Sequence, residues 1–215
     1  MLIVAIPKSA STSLVKTMGL LHGLPAQQKF FKDAPVPATT KLLHRYHSDI
    51  REFNSEQTDV FGDSGQFFKQ HIPPTDNNLE LVRGQKKVIL LRDPREIIEA
   101  YYRASKKKIH KERDEFKNCT TVDEWHQAAC DNGLFDDLQW FYDRWNSEAK
   151  KHAEENLVID YSSLIADSEF VINEIEKFFN LSISENVSLS KERFSRTFSF
   201  SDVFSALKRI IVRKK

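Results

Sequence analysis

Residues Leu2-Ile3-Val4-Ala5-Ile6 form an unbroken apolar run that stops at Pro7 and gives way to the polar stretch Lys8-Ser9-Ala10-Ser11-Thr12-Ser13. An apolar run this short reads as a strand buried on both faces, which is the habit of a parallel sheet covered by helices. From Leu14 to Leu21 the spacing turns helical, with Leu14, Val15, Met18 and Leu21 on one side. Strand, polar loop and helix together make the first half of a β-α-β unit.

The same alternation continues. Gln66–Gln70 reads as a second strand, ending at His71-Ile72-Pro73-Pro74. Lys87-Val88-Ile89-Leu90-Leu91 is the clearest strand, and Arg92-Asp93-Pro94 then opens a helix running to about Lys107, with Pro94 in the first turn where a missing N–H costs nothing. Leu157-Val158-Ile159 is a short strand leading into Asp160-Tyr161. Helices are expected at 41–53, 77–83, 122–130, 136–154 and 170–179, and a loop at 23–40, which carries three prolines. Strands alternating with helices imply a single α/β domain over residues 1–215, with a mainly parallel central sheet flanked by helices.

Composition narrows the function. The 32 Lys+Arg against 31 Asp+Glu leave a net charge of +1 at pH 7, which argues against a general nucleic-acid binder. No run of about 18 apolar residues exists, so stable membrane insertion is not expected. The N-terminus shows no basic leader or signal-peptide core. Cys119 and Cys130, the two cysteines, form no CxxC pair and read as free thiols of a reducing compartment. A cytoplasmic protein is the expectation. His44 and His47, at i and i+3, read as a solvated pair rather than metal ligands. The charge run 106–117 reads as a solvated face, the basic end 208–215 as a frayed terminus, and Trp125, Trp140 and Trp145 as helix-packing residues.

The loop after the first strand lies where α/β folds bind ligands, beyond a strand's carboxyl end. It feeds a helix N-terminus, whose free N–H groups and positive dipole end attract phosphate or sulfate. Lys8 adds a full charge, and Ser9, Ser11, Thr12 and Ser13 add hydroxyls. The glycines of GxxxxGK[ST] are absent. A nucleotide-dependent kinase also needs an acidic residue after a neighbouring strand to hold Mg²⁺. Here Arg92 stands in that place, suited to clamp an anionic oxygen, with Asp93 one step beyond.

These residues carry a resemblance. Pro7-Lys8-Ser9-Ala10-Ser11-Thr12-Ser13-Leu14 resembles the 5′-phosphosulfate loop PK(S/T)GTTxL of the PAPS-dependent sulfotransferases. The segment from Arg92 to Tyr102, RDPREIIEAYY, resembles their 3′-phosphate motif RxPxDxxxSxY. Lys69-Gln70-His71-Ile72-Pro73 resembles KxHxP of the cytosolic branch, and Asp160-Tyr161-Ser162-Ser163-Leu164 resembles the YEDL segment. All four occur in the family's order, from residue 1 to about 180.

The resemblance implies a P-loop NTPase-like three-layer fold, PAPS as donor, PAP as product and no required metal. It implies that Lys8, Ser9, Ala10, Ser11, Thr12 and Ser13 surround the 5′-phosphosulfate, that Arg92 binds the 3′-phosphate, and that Tyr161 lies near the adenine. His71 is then the base, and Lys69 holds the transferring group beside Lys8. Ala10 stands for the loop glycine, and Ala100 for the serine that normally assists Arg92. The late RKG segment has only basic stand-ins in Lys191, Arg193 and Arg196. If His71 is not the base, Glu56, Asp59 and Asp63 are the unplaced carboxylates. The acceptor is expected to be a hydroxyl or amine on a small molecule or glycan. Two alternatives stay open: a Mg²⁺-dependent phosphoryl transferase, and a PAP-binding module without chemistry.

Overall fold

Strands β1 (Leu2–Ala5), β2 (Ala26–Gln27), β3 (Phe67–Gln70), β4 (Lys87–Leu91) and β5 (Asn156–Asp160) form one sheet in the order β2-β3-β1-β4-β5. Every pairing is parallel, with Ile3 opposite both Lys69 and Val88, and Leu91 opposite Asp160. The computed structural model describes residues 1–106 and 114–190.

Strand alternation explains why the first apolar run has no polar face. Leu2, Val4 and Ile6 join one buried cluster, together with Phe68, Ile89 and Leu91. Met1, Ile3 and Ala5 join another, with Phe67, Val88, Leu90 and Ile159. The first cluster is covered by helices α5 (Pro94–Lys106), α6 (Val122–Asp131) and α7 (Leu134–Lys151), through Ile97, Ile98, Trp125, Phe141 and Trp145. The second is covered by α1 (Ser11–His22), α8 (Tyr161–Ala166) and α9 (Ser168–Phe179), through Leu14, Met18, Leu164 and Ile172. Helices on both faces give the expected three layers. Among the described residues, no helix is long and apolar enough to cross a membrane.

The connections set the ligand crevice. The chain leaves β1 through α1 toward the β2 edge, and leaves β4 through α5, α6 and α7 toward the β5 edge. Adjacent strands whose connections depart in opposite directions open a cleft at their carboxyl ends. That cleft lies between the segment after Ala5 and the segment after Leu91.

Several boundaries differ from expectation. The segment 41–53 yields only α2 (Leu43–Tyr46), and the chain is extended again at His47, with φ −131° and ψ 110°. Tertiary bonding overrides helical propensity here. The buried carboxylate of Asp137 on α7 accepts the backbone N–H groups of Lys41, Leu42 and Leu43, at 2.8, 2.7 and 2.7 Å. The loop 23–40 contains β2, a two-residue edge strand too short to show periodicity. Between α2 and β3 stands α3 (Ser55–Asp59), closed by a capping box of Asn54 and Gln57 and followed by one 3-10 turn at Val60–Gly62. The remaining helix of this face, α4 (Asp76–Leu81), is capped by Thr75.

Cys119 and Cys130 are free, and Trp125 and Trp145 are buried in helix packing, as expected. The Trp145 indole donates to the carbonyl of Ile72 at 2.9 Å, tying α7 to the turn that follows His71. The charge run falls largely on residues 107–113, which lie outside the described residues.

Asp137→Ala leaves the three N–H groups at the start of α2 without their acceptor. The expected cost is about 3 kcal/mol, or roughly 6–12 °C in Tm by thermal denaturation. A fall of less than about 2 °C contradicts the anchoring role.

Candidate active site

The phosphate loop is built from unusual backbone. Lys8 and Ala10 both have φ 63°, in the left-handed region that favours glycine. The alternation of these two residues around Ser9 turns the chain sharply from β1 into α1. Ser9 is buried, and its hydroxyl donates to the carbonyl of Ile6 at 2.6 Å, bracing the turn from inside. Ala10 occupies the N-cap of α1 and has no side chain with which to cap the first turn. The first-turn N–H groups of a helix have no partner within the helix, and without a capping side chain they suit an anion. Thr12 and Ser13 are half-buried and Ser11 is buried at the same end. The Lys8 ammonium lies 5.0 Å from the centroid of the Tyr101 ring on α5, a cation–π distance.

Arg92 follows β4 directly and crosses the crevice. It donates from Nη1 to the carbonyl of Lys8 at 2.7 Å and from Nε to Glu96 at 3.1 Å. Its guanidinium stacks on the Tyr161 ring, 3.8 Å from the centroid. Tyr161 opens α8 just beyond β5, so one cation joins the ends of three parallel strands. The serine expected beside Arg92 is Ala100, half-buried on α5; the acidic partner is Glu96, one turn earlier. Asp93 Oδ1 accepts the N–H groups of Arg95 and Glu96, at 2.8 and 3.3 Å, and caps α5.

The third component lies beyond β3. His71 is 4% exposed, and its Nδ1 is 2.6 Å from the carbonyl of Ala5. A carbonyl only accepts, so Nδ1 carries the proton and a neutral ring presents a bare Nε2. That Nε2 is 2.7 Å from Nζ of Lys69, itself 4% exposed, so the ammonium donates to it. Lys69 is also 3.8 Å from Asp49 Oδ2, whose side chain is 2% exposed. Asp49 Oδ2 accepts from Gln28 Nε2 at 2.7 Å and from the backbone N–H of His71 at 3.2 Å. Edge-on to His71 stands His47, with ring centroids 4.9 Å apart, and its Nε2 is 2.5 Å from the Tyr101 hydroxyl.

Burial dominates the electrostatics of this cluster. Removal from water, and then the charge of Lys69, push His71 down to about 4. Burial likewise pushes Lys69 down to about 8, against the pull of Asp49. For Asp49 burial acts upward, but His71, Lys69, His47 and Gln28 outweigh it and hold the carboxyl at about 2. His47 is held well below the usual histidine range, first by burial and then by His71. At neutral pH the cluster therefore holds an ammonium, a carboxylate and two neutral imidazoles.

His47, Asp49 and His71 bring three ligand-type atoms within 4.8 Å of one another. The Lys69 ammonium stands among them, on His71 Nε2, so the cluster carries its own cation.

The structure thus brings Lys8, Ser9, Ala10, Ser11, Thr12, Ser13, Arg92 and Tyr161 to one crevice, with His71 joined to its edge through the carbonyl of Ala5 and Lys69 beside it. The unplaced carboxylates are elsewhere: Glu56, Asp59 and Asp63 are exposed. Asp63 belongs to the opposite end of the sheet, where its carbonyl accepts from the N-terminal ammonium of Met1. Lys191, Arg193 and Arg196, like the basic end 208–215, lie outside the described residues. His47 corrects the expectation of a solvated pair, because extended backbone after α2 turns it into the cluster. Asp49 and Tyr101 were not singled out in the sequence. Tyr101 carries a trace of its role in its place on the apolar face of α5; Asp49 carries none.

A family model described as Sulfotransferase domain matches residues 1–205. The chain belongs to the sulfotransferase family. The sulfotransferase of Alicyclobacillus acidocaldarius is similar in fold, with TM-score 0.54 and 13% identity over 99% of this chain and 90% of that one. Mouse sulfotransferase SULT7A1, solved in complex with PAP, gives TM-score 0.53 and 14% identity over 95% of this chain and 65% of that chain. At such identities the likeness concerns the fold alone, and it is the expected P-loop-like α/β fold. No curated protein sequence matches the chain. Sulfuryl transfer is the reaction of the family to which this sulfotransferase belongs.

The left-handed Ala10 makes a stability prediction. Ala10→Gly removes Cβ strain worth about 1–2 kcal/mol and loses somewhat less to unfolded-chain entropy. A rise in Tm of roughly 1–4 °C is expected, and a fall shows that the Cβ is packed rather than strained.

Proposed function

We propose that this sulfotransferase takes PAPS as donor, returns PAP, and uses His71 as the base that deprotonates an acceptor hydroxyl or amine. One observation carries the reading. A helix N-terminus with Lys8, an Arg92 stacked on Tyr161, and a buried neutral His71 hydrogen-bonded to Lys69 converge at the carboxyl ends of adjacent parallel strands. The donor set fits a nucleotide with two separated anionic groups. Backbone N–H groups and Lys8 suit one, and the Arg92 fork suits the other. We read residues 1–215 as one such domain, and the free Cys119 and Cys130 support a reducing, cytoplasmic setting.

The donor supplies an electrophilic sulfur whose bond to the 5′-phosphate oxygen breaks as the acceptor attacks. The protein's part is positioning and charge stabilisation. His71 Nε2 takes the acceptor's proton, and the Nδ1–H bond to Ala5 holds the ring in the tautomer that can do so. Lys69 leaves Nε2 for the sulfuryl oxygens, and Lys8 balances charge on the departing phosphate. The capping role of Asp93 weighs against a Mg²⁺-dependent phosphoryl transferase. The intact Lys69–His71 pair weighs against a module without chemistry.

His71→Ala should lower kcat by roughly 10²–10⁴-fold, with the PAP-induced thermal shift unchanged. Undiminished turnover removes His71 from the base role. In the wild-type protein PAP should stabilise far more than ADP or AMP, and Arg92→Ala should erase that difference.

The pH profile gives a further test. A base of pKa about 4 is lost only when His71 protonates below that value, and a stabilising ammonium of pKa about 8 is lost as Lys69 deprotonates above it. The kcat/KM for the donor should therefore stay level between about pH 5 and pH 7. An acid limb near the ordinary histidine value of about 6.5 contradicts the buried, Lys69-capped His71.

A further inference from the structure

Asp49 is the one carboxylate of the Lys69–His71 cluster, and the reaction as derived above gives it no part. Its side chain is 2% exposed, and its Oδ2 is fixed by Gln28 at 2.7 Å and by the backbone N–H of His71 at 3.2 Å. A buried carboxylate held this way has a task, because an uncompensated charge inside a protein costs several kcal/mol. Among the described residues, its cationic neighbour within ion-pair distance is Lys69, at 3.8 Å. Lys69 in turn donates to the lone pair that His71 must keep open to accept a proton. Among the described residues, the other titratable and charged groups that act on the pair are His47, edge-on to His71, and Lys8.

We propose that Asp49 is a positioning residue: its carboxylate keeps the Lys69 amine charged and parked on His71 Nε2, so that the base stays capped until the anionic sulfuryl group of the donor draws Lys69 away. Gln28 anchors Asp49 Oδ2, and its other two contacts lead to this pair. One fixes the main chain at His71, and the Coulomb contact fixes the charge at Lys69. A capped base cannot activate an acceptor, or a water, in a protein whose donor site is empty. The proposal rests on the donor-and-base reading above.

The test uses the full chain with Asp49→Asn and Asp49→Glu. Asp49→Asn keeps the size and an acceptor oxygen but removes the charge. It should lower kcat roughly 10- to 100-fold at neutral pH, the range typical of a group acting through a catalytic neighbour. The alkaline limb of kcat/KM, set by Lys69, should move to lower pH, and Asp49→Glu should move it back toward wild type. PAP affinity should change less than twofold. A wild-type kcat and an unmoved alkaline limb in Asp49→Asn overturn the proposal, because a merely structural carboxylate leaves the limb in place.

If Asp49→Asn does not fold, ring ¹⁵N NMR of the wild-type histidines decides instead. A non-transferable sulfonate analogue of PAPS should change the hydrogen-bonded Nε2 signal of His71, and PAP should leave it as in the free protein. Identical spectra with both ligands overturn the capping. Should PAP itself fail to bind the wild-type chain, the donor reading fails, and that outcome is separate from either result with Asp49.

Discussion

The carbonyl of Ala5 decides what His71 can do. It is the last carbonyl of β1, at the end of the central strand, and it accepts from Nδ1 at 2.6 Å. A backbone carbonyl cannot donate, so the contact holds one tautomer as long as the sheet is intact. The neighbouring end of β4 uses the same device on a cation, since the carbonyl of Lys8 accepts from Arg92. Both functional side chains thus hang on backbone oxygens where β1 meets the loop. A small shift in the register of β1 against β3 would displace the base and the loop together. The sheet's parallel register, with Val4 opposite Gln70 and Ile89, is therefore part of the site as well as its support.

Burial supplies the second half of the chemistry. An exposed histidine and lysine at neutral pH would give a partly protonated base beside a firmly charged amine. Here removal from water makes the histidine fully neutral and brings the lysine within reach of deprotonation. The same low dielectric strengthens the Lys69–Asp49 attraction that opposes that loss. The apolar packing that covers this side of the sheet contributes to reactivity for this reason. Trp145, by fixing the carbonyl of Ile72, keeps the turn after His71 closed against α7.

Much of this was legible in the chain. The Leu2–Ile6 run, the Lys87–Leu91 run and the polar residues after the first strand pointed to the parallel sheet, the loop and Arg92, because continuous apolar runs and helix starts are local signals. The family resemblance added Lys69, His71 and Tyr161. What stayed hidden depends on contacts far apart in sequence. The segment 41–53 has helical composition, but Asp137 captures its first N–H groups from 94 or more residues away. The consequence is the extended residue His47 and the turn after it that delivers Asp49. A carboxylate whose partners are Gln28, Lys69 and the backbone of His71 leaves no spacing pattern to read. Glu96 was overlooked for the opposite reason: an acidic residue one turn after an arginine is commonplace on helices, and here it occupies Nε of Arg92.

In this structure each cation of the site has a partner within the protein. Lys8 lies by the Tyr101 ring, Lys69 rests on His71 and near Asp49, and Arg92 spans Glu96, Tyr161 and the carbonyl of Lys8. A ligand therefore gains only the difference between its own contacts and those it replaces. An anion with one charged group can improve on one of these arrangements; a nucleotide bearing two anionic groups can improve on the loop and on Arg92 at once. Selectivity then comes from the number and spacing of the exchanges rather than from bulk positive charge, which agrees with a chain whose net charge is +1. The sulfuryl group adds a third exchange, at Lys69, and that exchange is the one that bares the base.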